Sequence, residues 1–149
     1  MRWPRGASRY NVAILAELRV FTAVPFTVVL DGVPLETEAM LVAVGNGTSY
    51  GGGMQVCPGA LVDDGLLSVT VLGRLSKVEF LRVFPRVYKG THVLHPAITV
   101  HTARTVRLEA PGVVAYADGE YVAPLPVEVT CVPGALTVLV PAPVPVPPD

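Results

Sequence analysis

No apolar run in this chain goes far before a glycine, a proline or an Asp-Gly pair cuts it. The 149 residues include 14 glycines and 15 prolines, and between them lie short stretches rich in valine. Short β-branched runs bounded by turn residues read as antiparallel strands and their reversals. Many such strands in succession predict a mainly β fold, a sandwich or distorted barrel, with two helices. The length suffices for one domain with its own core. A hydrophobic content of 51% against 15% charged residues excludes a disordered chain. The same figures suggest apolar surface that meets a partner domain or a lipid, or alternatively a valine-rich β core.

Residues 8–21 carry Ile14, Leu15, Leu18 and Phe21 at helical spacing after Ser8, a candidate N-cap, and Pro25 stops the pattern. Residues 26–30 and 33–38 flank Asp31-Gly32, the signal of a two-residue hairpin. Residues 39–44 are continuously apolar and read as a buried strand. Residues 66–72 read as another strand, with Val69 and Val71 alternating against Ser68 and Thr70. Residues 76–89 read as a second helix. Ser76 and Glu79 form a capping box, Pro85 should kink it, and Gly90 should end it. Further strands are expected at 98–102, 105–109, 113–118, 127–132 and 136–140. The domain is expected to span residues 1–141, with 142–149 as an extended Pro-rich tail.

Three constellations carry chemistry. Asn46 precedes the triplet Gly51-Gly52-Gly53, which frees backbone N–H groups and lets another molecule approach closely. The bland alternative is a strand-to-loop transition. Asp63-Asp64-Gly65-Leu66 follows, where a loop carboxylate and nearby carbonyls could hold a hard cation. On the residues alone an Asx turn without metal is the commoner outcome. Asp118-Gly119-Glu120 puts two carboxylates beside a tight turn. Taken alone, such a tip is most often a solvent-exposed hairpin.

In this order and spacing, these motifs resemble the C-terminal domain of the diacylglycerol kinase-like lipid kinases, which include bacterial lipid kinases and sphingosine kinases. The likeness runs from about Tyr10 to Pro141. The related NAD kinases fit the Asp-Asp-Gly-Leu-Leu and Asp-Gly-Glu pair less well. The resemblance implies an ATP-dependent kinase acting on the hydroxyl of diacylglycerol or a similar lipid. It implies Glu120 as proton acceptor and Asp118 beside the Mg²⁺–phosphate network. It also implies a structural Mg²⁺ on the side chain of Asp64 and the carbonyls of Leu61 and Leu66. Asn46 and the triplet would line the cleft between domains.

The family's Gly-Gly-Asp-Gly-Thr nucleotide motif is absent from this sequence, as is any Walker-type loop. ATP is therefore expected to be bound mainly by an N-terminal domain missing from this chain. The isolated chain should then be inactive, with that domain and the lipid as partners. The domain face left uncovered predicts a homo-oligomer. A second reading is a non-catalytic lipid-binding or interaction module. A sugar-binding sandwich is a third, but aromatic residues make up only 7% and offer little stacking surface.

A net charge of −1 argues against a nucleic-acid partner. Arg82, Arg86 and Lys89 would share one helix face, which either rests on anionic lipid or is simply solvated. Cys57 and Cys131 stand alone, without Cys-x-x-Cys spacing, so zinc is not expected. His92, His95 and His101 make no metal pattern. With no leader-like apolar segment and no membrane-length apolar run, a cytoplasmic protein is expected, with peripheral contact at the inner membrane face.

Overall fold

The computed structural model describes residues 22–139. The expected first helix and the Pro-rich tail lie outside the described residues. The described elements are β1 (Val24–Leu30), β2 (Val33–Gly45), β3 (Leu67–Gly73), α1 (Lys77–Val83), β4 (Ile98–Ala103), β5 (Thr105–Glu109), β6 (Val114–Ala117), β7 (Glu120–Pro124) and β8 (Val127–Thr130). Short 3-10 segments cover Gly51–Gly53, Phe84–Lys89 and Thr91–Leu94. The fold is mainly β, as expected. Six strands form one sheet in the order β4-β3-β2-β1-β5-β8, and β6 pairs with β7 as a separate ribbon. All the pairings are antiparallel.

The Asp31-Gly32 turn forms as the sequence predicts, with φ of 48° and 87°. Positive φ at both central residues matches the right-handed twist of the flanking strands. The Asp31 carboxylate does more than shape its own turn. It accepts from the backbone N–H of Thr105 at 2.8 Å and of Arg104 at 3.0 Å, tying this hairpin to the β4–β5 reversal.

Residues 39–44 are not a separate strand but the second half of β2. Ala39 faces Gly73 and Leu41 faces Leu72, so Met40 is an extra residue. This bulge shifts the alternation by one. Ala39, Val42 and Val44 consequently pack with one core, while Met40 packs with the other.

The larger core gathers Phe26, Val28, Val69, Val71, Val106 and Leu108 on one face of the sheet. On the opposite face Met40, Leu72 and Ile98 meet Leu75 and Val83, with Phe80 packed alongside, so α1 covers that end. Ser68 and Thr70 are buried too. The alternating pattern in β3 therefore does not mark a half-solvated strand. Its polar side faces a loop, described below.

The capping box forms as read. Ser76 Oγ accepts from Glu79 N–H at 3.2 Å, and Glu79 Oε2 accepts from Ser76 N–H at 2.9 Å. Pro85 does not kink an α-helix. Instead the α-helix ends at Val83 and the chain tightens into a 3-10 segment with proline in its first turn, where a missing N–H costs nothing. Gly90 ends it in the left-handed conformation, φ 67°. Two other expectations need correction. Glu120–Pro124 is a strand that the sequence reading did not include. Residues 136–139 form no strand; they are exposed and pair with nothing regular.

Candidate functional site

β2 delivers the chain into the glycine loop through Gly45. A Cβ there would lie 3.1 Å from Cys57 Sγ and 3.2 Å from Tyr50 Cε1. Only glycine lets the loop fold this closely back over the strand end. Tyr50 and Met54 then bridge across the triplet, with Tyr50 N–H donating to the Met54 carbonyl at 2.8 Å. Gly52 and Gly53 both have positive φ, at 77° and 79°. Gly51, Gly52 and Gly53 are all exposed, so their backbone is open to an approaching molecule.

The loop is anchored from below by side chains of the sheet and of the segment after α1. The Val56 carbonyl accepts from Thr70 Oγ1 at 2.9 Å and contacts His92 Nε2 at 3.3 Å. Cys57 is fully buried, its sulfur 3.6 Å from Thr70 Oγ1 and donating to the Ser68 carbonyl at 3.7 Å. Burial pushes the Cys57 thiol up. Burial likewise holds His92 below its ordinary value. Gln55 N–H donates to the Val87 carbonyl at 2.9 Å, joining the loop to the 3-10 segment. Cys57 and Cys131 are both free thiols.

Farther along, Asp64 closes an Asx turn: its Oδ1 accepts from Leu66 N–H at 2.9 Å, with Gly65 at φ 74° between them. Asp63, Asp64 and Leu61 are exposed and Leu66 is half-buried. Among the described residues no three His, Cys, Asp or Glu side chains gather into a metal-sized group. Any cation here would rest on one or two carboxylates, carbonyls and water. That donor set suits Mg²⁺, which keeps several waters. Asp64 keeps Oδ2 beyond the Asx bond, so the residues present fit the ion.

The Asp118-Gly119-Glu120 motif is the tip of the β6–β7 ribbon. Asp118 and Gly119 have φ of 51° and 85°, and Ala117 pairs with Glu120 to close the turn. Tyr116 faces Tyr121 just behind the tip, their rings edge-on with centroids 6.1 Å apart. Asp118 and Glu120 are exposed. Tyr50 is pushed up to about 12, mainly by burial, with the Cys57 sulfur next and the Asp118 carboxylate contributing. A negative charge acts this way only from nearby. The Asp118 carboxylate is therefore within electrostatic range of Tyr50, although the two are far apart in sequence. Tyr50 itself donates to the Val44 carbonyl at 2.5 Å.

Tyr50, Thr70 and His92 were not among the candidate residues of the sequence reading. Tyr50 abuts the glycine triplet, which was its only signal. Thr70 and His92 look ordinary until their shared acceptor, Val56, is seen.

The geometry agrees with what the chain is similar to. Residues 1–140 match the model of the YegS C-terminal NAD kinase beta sandwich-like domain. The chain belongs to this family. A diacylglycerol kinase of Mycobacterium tuberculosis (strain CDC 1551 / Oshkosh) is 45% identical over 142 residues, covering 95% of this chain and 46% of that protein. A protein of Stenotrophomonas maltophilia (strain K279a), named as a YegS-like lipid kinase, is 35% identical over 123 residues, 79% of this chain and 40% of its own. A crystal structure of a diacylglycerol kinase from Bacillus anthracis str. Sterne superposes with a TM-score of 0.59 at 27% identity, covering 79% of this chain and 42% of that one. The chain thus spans about half the length of the curated relatives it matches. No helix among the described residues is long and apolar enough to cross a membrane.

Proposed function

We propose that this YegS C-terminal domain is the lipid-facing, proton-accepting half of an ATP-dependent lipid kinase, acting on the hydroxyl of diacylglycerol or a similar long-chain alcohol. The observation that carries the reading is the match of residues 1–140 to the YegS C-terminal domain together with an exposed acid-Gly-acid tip on the β6–β7 turn. An isolated hairpin would leave its acids in open solvent. Here the Asp118 carboxylate is within electrostatic range of Tyr50, next to a loop whose exposed backbone admits a substrate.

Phosphoryl transfer to an alcohol is mostly a matter of placement and charge. The lipid hydroxyl enters between loop and tip, and Glu120 accepts its proton. The alkoxide-like oxygen forms a bond to the γ-phosphorus as the bond from that phosphorus to the bridging oxygen breaks, and ADP leaves. Asp118, on the same turn, would stand beside the metal–phosphate network. Asp64 and the carbonyls of Leu61 and Leu66 would hold a structural Mg²⁺. When bound, that ion supplies positive charge that fixes the loop between the glycine triplet and β3. This chain's sequence has no phosphate-cradling loop. ATP is accordingly held mainly by a nucleotide-binding domain outside it, and the chain alone should be inactive.

The test joins this chain to a compatible nucleotide domain. Lipid kinase activity should appear, and Glu120→Gln should lower turnover by about 10²–10⁴-fold, the usual contribution of a general base, with folding intact. Asp118→Asn should also lower turnover and alter its Mg²⁺ dependence. Near-normal turnover in the Gln variant would reduce the tip to a plain hairpin and bring forward a non-catalytic lipid-binding module.

A further inference from the structure

α1 and the 3-10 segment after it bury one stripe and leave an unusual one outside. Phe80, Val83, Phe84 and Val87 turn inward, where Phe80 and Val83 pack with the second core. An outward face opposite such a stripe is normally polar. Here Val78, Leu81 and Tyr88 are exposed at 57%, 48% and 42%, with Pro85 exposed between them, and Leu94 follows at 80%. Spacings of three and four residues align Val78, Leu81 and Pro85 as one ridge, and Tyr88, its ring edge-on to Phe84 with centroids 6.2 Å apart, flanks it. Isolated exposed apolar residues need no explanation, but a ridge of them does.

The charge around that ridge has one sign. Residues 65–108 hold seven of the chain's 11 Lys and Arg but one of its 12 Asp and Glu, although the whole chain has a net charge of −1. That single acid, Glu79, is occupied by the capping box. Arg82, Arg86 and Lys89 border the ridge, all exposed. Because Phe84–Lys89 is 3-10, Arg86 and Lys89 eclipse each other rather than following an α-helical stripe through Arg82. Among the described residues none of the three forms a salt bridge; the ion pairs present are Arg74–Glu38 and Arg107–Glu109.

We infer that the outward face of residues 77–94 docks on an anionic lipid bilayer. Val78, Leu81 and Tyr88 enter the headgroup boundary, and Arg82, Arg86 and Lys89 rest on lipid phosphates. Charge complementarity favours this occupant: an apolar ridge flanked by unpaired cations matches an anionic interface. The choice of a bilayer rests on the lipid-kinase reading, whose substrate resides there. The same segment braces the glycine loop through Val87 and Gln55. A Cβ on Gly90 would lie 2.8 Å from Gln55 Oε1, so the two pieces are in direct contact. Docking this face therefore holds the loop at the membrane.

The test is sedimentation of this chain with phosphatidylcholine vesicles, with and without phosphatidylglycerol. Binding should need the anionic lipid and weaken with salt. Each basic residue at such a surface contributes roughly 5-fold, so Arg82→Gln/Arg86→Gln/Lys89→Gln should cut partitioning on the order of 100-fold. Leu81→Ser should weaken binding while leaving its salt dependence in place. These side chains are exposed, so folding is not at stake. Equal binding to neutral vesicles, no binding to anionic ones, or an unchanged triple variant would overturn the inference. So would self-association that Leu81→Ser abolishes, since a second copy would then be the occupant. Asp118→Asn/Glu120→Gln should bind vesicles like the unmodified chain. Loss of the kinase reading with vesicle binding retained would thus be told apart from loss of the docking face.

Discussion

Gly45 offers the sharpest probe of how the glycine loop is held, because one methyl group tests three contacts at once. In Gly45→Ala the new Cβ would meet Cys57 Sγ at 3.1 Å, the Gly47 carbonyl oxygen at 3.1 Å and Tyr50 Cε1 at 3.2 Å. Comfortable contacts lie at about 3.5–4.0 Å, so each neighbour must yield by several tenths of an ångström. None is free to do so. Cys57 is fully buried, Tyr50 is pinned through its hydroxyl to Val44, and the third is backbone. Overpacking of this kind costs about 1–3 kcal/mol, offset by about 0.4–1 kcal/mol from a stiffer unfolded chain. The net loss is about 1–2 kcal/mol, which for a domain of this size lowers Tm by roughly 3–6 °C. Thermal melting by circular dichroism reads this directly. The cause is checked by repeating the substitution in Cys57→Ala, which removes the sulfur. There Gly45→Ala should cost measurably less, as neighbours in contact do not add. An equal cost in both backgrounds, or a raised Tm, would refute the packing argument.

Ser76→Ala removes half of the capping box and should cost about 1 kcal/mol, about 3 °C in a melt. Asp31 is held below its ordinary value of 3.8 by the N–H groups of Thr105 and then Arg104. The Tm gap between the unmodified chain and Asp31→Ala should be full above that value and narrow as pH falls through the lower folded value. Burial holds His92 below its ordinary value of 6.5, so on acidification the unfolded chain takes up a proton before the folded chain does. Tm should therefore fall from pH 7 toward pH 5, with a shallower slope in His92→Gln. Mg²⁺ should raise Tm by mass action and lose that effect in Asp64→Ala; a chain indifferent to Mg²⁺ would remove the metal from the loop.

The features legible in the sequence are those whose cause is local. Asp31-Gly32 needs only its own backbone to make its turn, and Ser76 with Glu79 needs only three residues to cap α1. Where a residue's role depends on a distant neighbour, the sequence misled or fell silent. Ser68 and Thr70 look solvent-facing until Cys57 and Val56 are placed over them. Residues 136–139 are apolar enough for a strand but join no ladder. Glu120–Pro124 begins inside a motif read for its carboxylates and ends at a proline, so its ladder to β6 was not expected. The electrostatic reach of Asp118 to Tyr50 has no sequence signature, since it depends on where the β6–β7 ribbon lies.

The extra residue at Met40 has a consequence for how this strand tolerates change in length. The part of β2 before the bulge takes its phase from β1, and the part after it takes its phase from β3. Met40 works as a phase shifter between two half-strands that would otherwise be out of step. Losing one residue there would turn Val42 and Val44 away from the larger core and carry Gly45 off the spot where only glycine fits. Length variation among related chains should therefore collect in the Asp31-Gly32 turn and the loop after Gly45. Within β2 itself it should come in pairs of residues, never singly.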